Sequence, residues 1–253
     1  MLKDILLLFA GFLVGCMNAI AGGGMLLGFP ALLAYGLSAL TANATGPIVV
    51  LPGQITSAYG YREYLRKTPL KYAWLLVPCV VGAFIGANLL RHTSGDTFEE
   101  FVPWLILFAV AIFAFQPFLH NYLHKHMRAR SNRIKPLVII GIGLFPVGIY
   151  GGYFGAGLGF IMLAFLGFTK IHDAHQINAM KNVAATFMCI VSITVLSSSS
   201  LINWHAGLIM AVGSAIGGYS GARLAQKISN HSIRVVVIII GTVTATYLAL
   251  RNY

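Results

Sequence analysis

The chain writes one pattern twice. Asn43-Ala44, Ile55, Ser57, Val77 and the run Gly82 to Ala87 return 135 residues later as Asn178-Ala179, Ile190, Ser192, Val212 and the run Gly217 to Ala222. Gly15, Gly22 and Gly24 meet Gly148, Gly155 and Gly157 at a spacing of 133, so two residues are gained between the blocks. An internal duplication of this kind has to fold as two copies of one unit. In a membrane, two such copies facing each other are a common frame for a binding site near the bilayer midplane.

Composition places the chain in a membrane. Hydrophobic residues make up 58% and charged residues 9% of 253, far from the roughly 45–50% and 25% of a soluble domain. Five apolar segments are expected per repeat: 4–21, 25–36, 42–61, 72–91 and 101–119, then 137–154, 158–169, 177–197, 206–224 and 233–250. The second of each set spans only about 18 Å as a helix, too short for a hydrocarbon core of roughly 30 Å. Two short, glycine-broken segments at matching places are the pattern of a transporter's discontinuous helices. The expected fold is therefore an all-α polytopic membrane protein. It has two inverted five-segment repeats, 1–119 and 137–253, joined by a basic linker at 120–136. Met1 to Ala21 matches Pro136 to Phe154 and so reads as part of the repeat, not as a cleavable signal. Cys16, Cys79 and Cys189 lie in apolar segments without regular spacing and read as small buried residues.

Charge sets an expected orientation. The linker carries Lys125, Arg128, Arg130, Arg133 and Lys135, which the excess of basic residues in cytoplasmic loops places inside. The loops at 62–71 and 223–234 and Lys170 then also fall inside, and both termini fall outside. The odd number of segments per repeat makes the second run opposite to the first. A net charge of +11 is explained by these loops and the anionic cytoplasmic leaflet, and no nucleic-acid motif accompanies it. A plasma or bacterial inner membrane is the expected location.

Few residues carry chemistry. Gly22-Gly23-Gly24 and Gly155-Ala156-Gly157 each break a helix ahead of a short segment. A helix N-terminus in low dielectric presents unpaired N–H donors and about half a positive charge, which suits an anion. Asn43 and Asn178 occupy one place in both repeats, as ligand-facing amides or as caps of their own helices. Lys181, beside Asn182, either points inward or snorkels to the headgroups. Thr45 and Gln54 complete the candidate substrate-binding set. The glycine pairs Gly82/Gly86 and Gly217/Gly221 have small-xxx-small spacing for close helix packing, within one chain or between two copies. His120, His124, His126, His172 and His175 lack a companion cysteine or carboxylate and sit among positive charges, which disfavours a metal site.

The duplicated arrangement resembles the sulfite exporter TauE/SafE family of membrane transporters. The matching features are the glycine turns at 22–24 and 155–157, the openings Thr41-Ala42-Asn43-Ala44 and Ile177-Asn178-Ala179, and the Gly-xxx-Gly-Ala blocks ending at Ala87 and Ala222. The chain departs from that pattern at Ala156, which replaces one glycine of the second turn, and at Leu163, the counterpart of Pro30. The resemblance covers the whole chain and implies transport of sulfite, sulfonates or other sulfur oxyanions.

The residues point the same way. Cation carriers and proton relays normally keep a carboxylate at membrane depth, and here only a lysine is expected there. The reading is a secondary carrier of a small anion by alternating access, without a cofactor, with H+ or Na+ as candidate coupling ions that the sequence does not choose between. The absence of G-x-x-x-x-G-K-[ST] excludes a self-contained ATP-driven pump. A nickel or cobalt carrier using the loop histidines is the alternative. An intramembrane enzyme would have only Ser197 to Ser200 near His205, with no acidic orienter, and is set aside.

Overall fold

In lipid each backbone N–H and C=O must pair inside its own segment, so long apolar stretches coil into helices. The computed structural model describes residues 2–20, 22–111, 136–169, 171 and 173–225, and every regular element among them is helical. The first half contains α1 (Leu2–Ile20), α2 (Met25–Tyr35), α3 (Ala39–Gly60), the short α4 (Arg62–Arg66), a 3-10 turn (Leu70–Leu75), α5 (Leu76–His92) and α6 (95–111). The second contains α7 (Pro136–Tyr153), α8 (Leu158–Leu166), α9 (Ala174–Leu196) and α10 (Trp204–Ala225). Each expected segment up to 224 overlaps one of these helices, the part of the fifth segment at 112–119 lying outside the described residues. The segment at 233–250 and nearly all of the linker at 120–136 lie outside the described residues.

Among the described residues three stretches, Leu2–Ile20, Leu70–His92 and Ala174–Leu196, are long and apolar enough to cross a membrane. Their outer faces are apolar too. Ile5, Phe9 and Leu13 on α1, Val77 and Val81 on α5, and Leu208, Val212 and Ile216 on α10 are exposed at four-residue intervals. Stripes of that kind are lipid-facing surface. The protein is an integral membrane protein.

The short helices α2 and α8 have 11 and 9 residues, about 16 and 14 Å. Both begin at a tight turn. Gly22 and Gly155 have φ of 92° and 72°, and their N–H groups donate to Met17 and Tyr150 at 3.0 and 3.1 Å. These bonds are equivalent under the spacing of 133. Helix α2 ends at Gly36, where φ is 113° and the Leu37 N–H returns to the Leu32 carbonyl, a Schellman closure. Ser38 then caps α3 through Thr41, as Asp173, its counterpart, caps α9 through His175. The two helices thus start three residues before their expected segments, and Asn43 and Asn178 are interior residues instead of caps.

Packing pairs α1, the first helix of one half, with α10 of the other, and α7, the first helix of the second half, with α5 of the first. Gly213, Gly217 and Gly221 of α10 lie against Leu8, Phe12 and Cys16 of α1, so these helices run parallel. Gly82 and Gly86 of α5 lie against Phe145 and Ile149 of α7 in the equivalent register. A Cβ at any of these glycines would enter the facing backbone, and close approach is what small residues provide in lipid. These faces are therefore occupied within the chain, which removes them as a contact between copies. The third helices cross antiparallel: Asn182 and Asn178 of α9 bond Ser57 of α3 and Tyr61 just beyond it.

Charge collects at opposite ends of α10. At its start His205 lies 3.4 Å from Asp4. At its close Tyr59 and Tyr219 have ring centroids 6.3 Å apart, each under an arginine, Arg62 and Arg223.

Candidate functional site

The two glycine turns meet inside the protein, where Gly22 and Gly159 are buried. The Gly159 N–H, at the start of α8, donates to the Gly22 carbonyl at 3.0 Å, and a Cβ on Gly22 would fall 2.5 Å from the Gly159 Cα. Beside this contact is a cavity of about 60 Å³, room for about four to six waters at 10–15 Å³ each and so for a small polyatomic ion. Its walls come from the end of α1, the middle of α3, the turn before α8 and one face of α9.

Polar groups converge on it unevenly. Lys181 is fully buried and its Nζ donates to the Asn18 carbonyl at 2.6 Å. An ammonium has three donors, and this bond uses one of them. The lysine turns inward and does not snorkel. Asn18 is 4% exposed; its Oδ1 accepts from the Gly24 N–H at 2.8 Å, while its Nδ2 has no partner among the described residues. Gln54 also lines the cavity, with Oε1 unpartnered. The Asn43 amide donates to the Tyr153 carbonyl at 2.7 Å. The lining also includes the apolar side chains of Val50, Leu90, Leu158 and Met188. Among the described residues no Asp or Glu lines the cavity.

Of the expected site residues, the structure brings Gly22, Asn43, Gln54, Gly155 and Lys181 together around one space. The others sit close by in the framework. Gly23 faces the Phe160 ring and Gly157 faces Ala109. Gly24 is held by Asn18, and the Ala156 carbonyl accepts from the Tyr150 hydroxyl at 2.6 Å. Thr45 donates to the Thr41 carbonyl and accepts from the Asn203 N–H. Asn178 donates to the Ala19 carbonyl at 2.7 Å and the Tyr61 hydroxyl at 3.1 Å, and Asn182 donates to Ser57 Oγ at 2.6 Å. The helix-start donors of Gly24 and Gly159 are thus spent inside the protein, and the positive character of the site rests on Lys181 and the Asn18 amide.

Asn18 is the residue that the sequence pattern passed over. Its counterpart is Gly151, so a search guided by repetition misses it. An amide inside an otherwise apolar span is nevertheless a signal on its own.

The sulfite exporter TauE/SafE profile matches residues 7–248. The chain belongs to the sulfite exporter TauE/SafE family. Among relatives, it is 29% identical over 251 residues to the probable membrane transporter protein YfcA of Escherichia coli strain K12, covering 96% of this chain and 88% of that one. It is 29% identical over 239 residues to a probable membrane transporter protein of Haemophilus influenzae, covering 90% and 88%. Over 248 residues it is also 29% identical to the probable membrane transporter protein ORF9 of a Sinorhizobium species, covering 93% and 88%. No solved structure matches the chain. Membership in the TauE/SafE family makes this protein a membrane transporter. The broken helices and the cavity between them are features of its own chain.

Proposed function

We infer that the protein is a secondary carrier of a small sulfur oxyanion, sulfite or a sulfonate, across the plasma or bacterial inner membrane. One observation carries the reading: a fully buried lysine in the wall of a cavity that no carboxylate lines among the described residues. A lone buried ammonium is costly, and an anion bound beside it restores the missing partner. Asn18 Nδ2 supplies a second donor, and Asn43, Gln54 and the turn glycines Gly22 and Gly155 shape the space. The apolar side chains of the lining suit the carbon end of a sulfonate.

Alternating access follows if the halves are inverted repeats. The equivalent packing of α1 on α10 and α7 on α5, with the antiparallel crossing of α3 and α9, supports that relation. Rocking of one repeat against the other would part the turn contact at Gly22 and Gly159 and open the cavity to one side at a time. A nickel or cobalt carrier gains no support from the described residues, where no group of three His, Cys, Asp or Glu gathers. Its linker histidines and His172 lie outside them, and His175 packs against Tyr61 and Tyr64.

The test is a thermal-unfolding series in detergent with sulfite, thiosulfate, sulfoacetate, taurine, sulfate, chloride, nickel and cobalt, followed by uptake of the stabilising ligand into proteoliposomes. At 100 times its dissociation constant a ligand raises stability by about 2.7 kcal/mol. Stabilisation by a sulfur anion, lost in Lys181→Met, is expected. Stabilisation by metal alone would overturn the reading.

A further inference from the structure

A second cavity has a different character. It holds about 200 Å³ between the 3-10 turn, α5, α8 and α9, more than three times the space of the first one. Its floor is Cys79, Leu144, Met162 and Ala184, all buried. Its mouth is formed by the segment before and within the 3-10 turn, where Leu70 is 88% exposed and Ala73 is also exposed. Thr68 brings the one aliphatic hydroxyl to the lining, and it is spent on the Tyr64 carbonyl at 3.0 Å. Apolar cavities of this size stay dry and take apolar guests.

The mouth is basic. Arg66, Lys67 and Lys71 alternate along the chain with the mouth residues Leu65, Thr68 and Leu70, and all three are exposed. The Lys71 ammonium stands 5.3 Å from the centre of the Tyr72 ring, itself part of the lining. Between 64 and 75 there is no Asp or Glu. Trp74, half exposed on the same turn, is the type of residue that settles at headgroup level. An apolar slot whose rim carries three cations and an interfacial tryptophan is complementary to a molecule with a hydrocarbon chain and an anionic head.

We propose that this cavity holds part of one acyl chain of an anionic phospholipid whose headgroup phosphate is bound by Lys67 and Lys71. The site is separate from the first cavity. The lipid wedges between the 3-10 turn and α9, the helix that carries Lys181.

The experiment is native mass spectrometry of the whole chain, extracted from bilayers with equal amounts of dioleoyl phosphatidylglycerol and dioleoyl phosphatidylethanolamine. The unaltered protein is expected to retain one phosphatidylglycerol several-fold more often than phosphatidylethanolamine. The surface pair Lys67→Gln/Lys71→Gln is expected to erase that preference, and Ala184→Phe, which fills the floor, to reduce retention of both lipids. Equal retention by the unaltered protein overturns the proposal, and so does a preference that survives the lysine pair. Should Ala184→Phe lack a cooperative melting transition, the lysine pair decides alone, because exposed side chains leave the fold intact.

Discussion

Lys181 on α9 donates its ammonium to the main-chain carbonyl of Asn18 on α1 at 2.6 Å, and the side chain of the same Asn18 holds the first N–H ahead of α2. One asparagine thus links the lysine of the cavity wall to the start of a broken helix. Movement of either helix changes where the ammonium sits. That coupling gives a physical route from substrate charge to the position of α2.

Replacing Lys181 with methionine keeps length and packing volume but removes the charge. Since a buried, poorly paired ion contributes little net stability and often less than an apolar group, the melting midpoint in detergent is expected to hold or rise. Anion affinity is expected to fall about ten- to a hundredfold, the equivalent of one charged hydrogen bond of about 1.5–3 kcal/mol. Titration of the stabilising anion by thermal shift gives both numbers. Undiminished affinity would remove Lys181 from the site.

Two substitutions at Asn18 separate its roles. Asn18→Ala frees the Gly24 N–H and leaves it buried, with an expected loss of about 0.5–2 kcal/mol, the range of a lost helix cap. Asn18→Asp keeps an acceptor for that N–H, so most of the stability is expected to remain, but it adds a carboxylate to the cavity wall. Binding of any anion is then expected to disappear. Proteoliposome uptake and unfolding measured on the same preparations show whether the two effects separate.

Much of this arrangement is legible in the sequence because duplication and apolar length are strong signals. The short α2 and α8, the glycine turns before them and the glycine faces of α5 and α10 all follow from spacing alone. The finer geometry does not. Successive helix residues point about 100° apart, so whether Lys181 or Asn182 faces the cavity depends on how α9 is rotated against α3. The bond of Asn182 to Ser57 settles that rotation, and it joins residues 125 apart in the chain. The starts of α3 and α9 were displaced because Ser38 and Asp173 cap them ahead of the apolar stretch. Asn18 escaped notice because Gly151 stands at its repeated position.

The contact of the two turns makes Gly22 a sensitive position. Gly36 has a similar left-handed backbone, φ 113°, but a Cβ there meets nothing within 4 Å. Gly36→Ala is therefore expected to lose only the backbone term of about 1–2 kcal/mol. Gly22→Ala adds a collision with the Gly159 Cα and is expected to lose clearly more, together with transport. Melting midpoints of the two variants side by side isolate the collision, and equal losses would contradict the close approach of the turns.

Asn182 and Ser57 offer the last test, because both are fully or nearly inaccessible and their bond spans the crossing of α3 and α9. Polar bonds between helices in lipid are worth about 0.6 kcal/mol on average and up to about 1.7. Asn182→Ala is expected to remove that bond and also to relieve an Oδ1 that has no partner among the described residues. Its net loss is therefore expected to be small, below about 1 kcal/mol. Ser57→Ala leaves the whole Asn182 amide unpaired and buried, which costs about 1–3 kcal/mol. The serine substitution is thus expected to be the more harmful of the two, and the double variant to recover part of its loss. A double-mutant cycle on melting free energies measures this directly. Additive losses would mean that the two side chains do not meet in the folded protein.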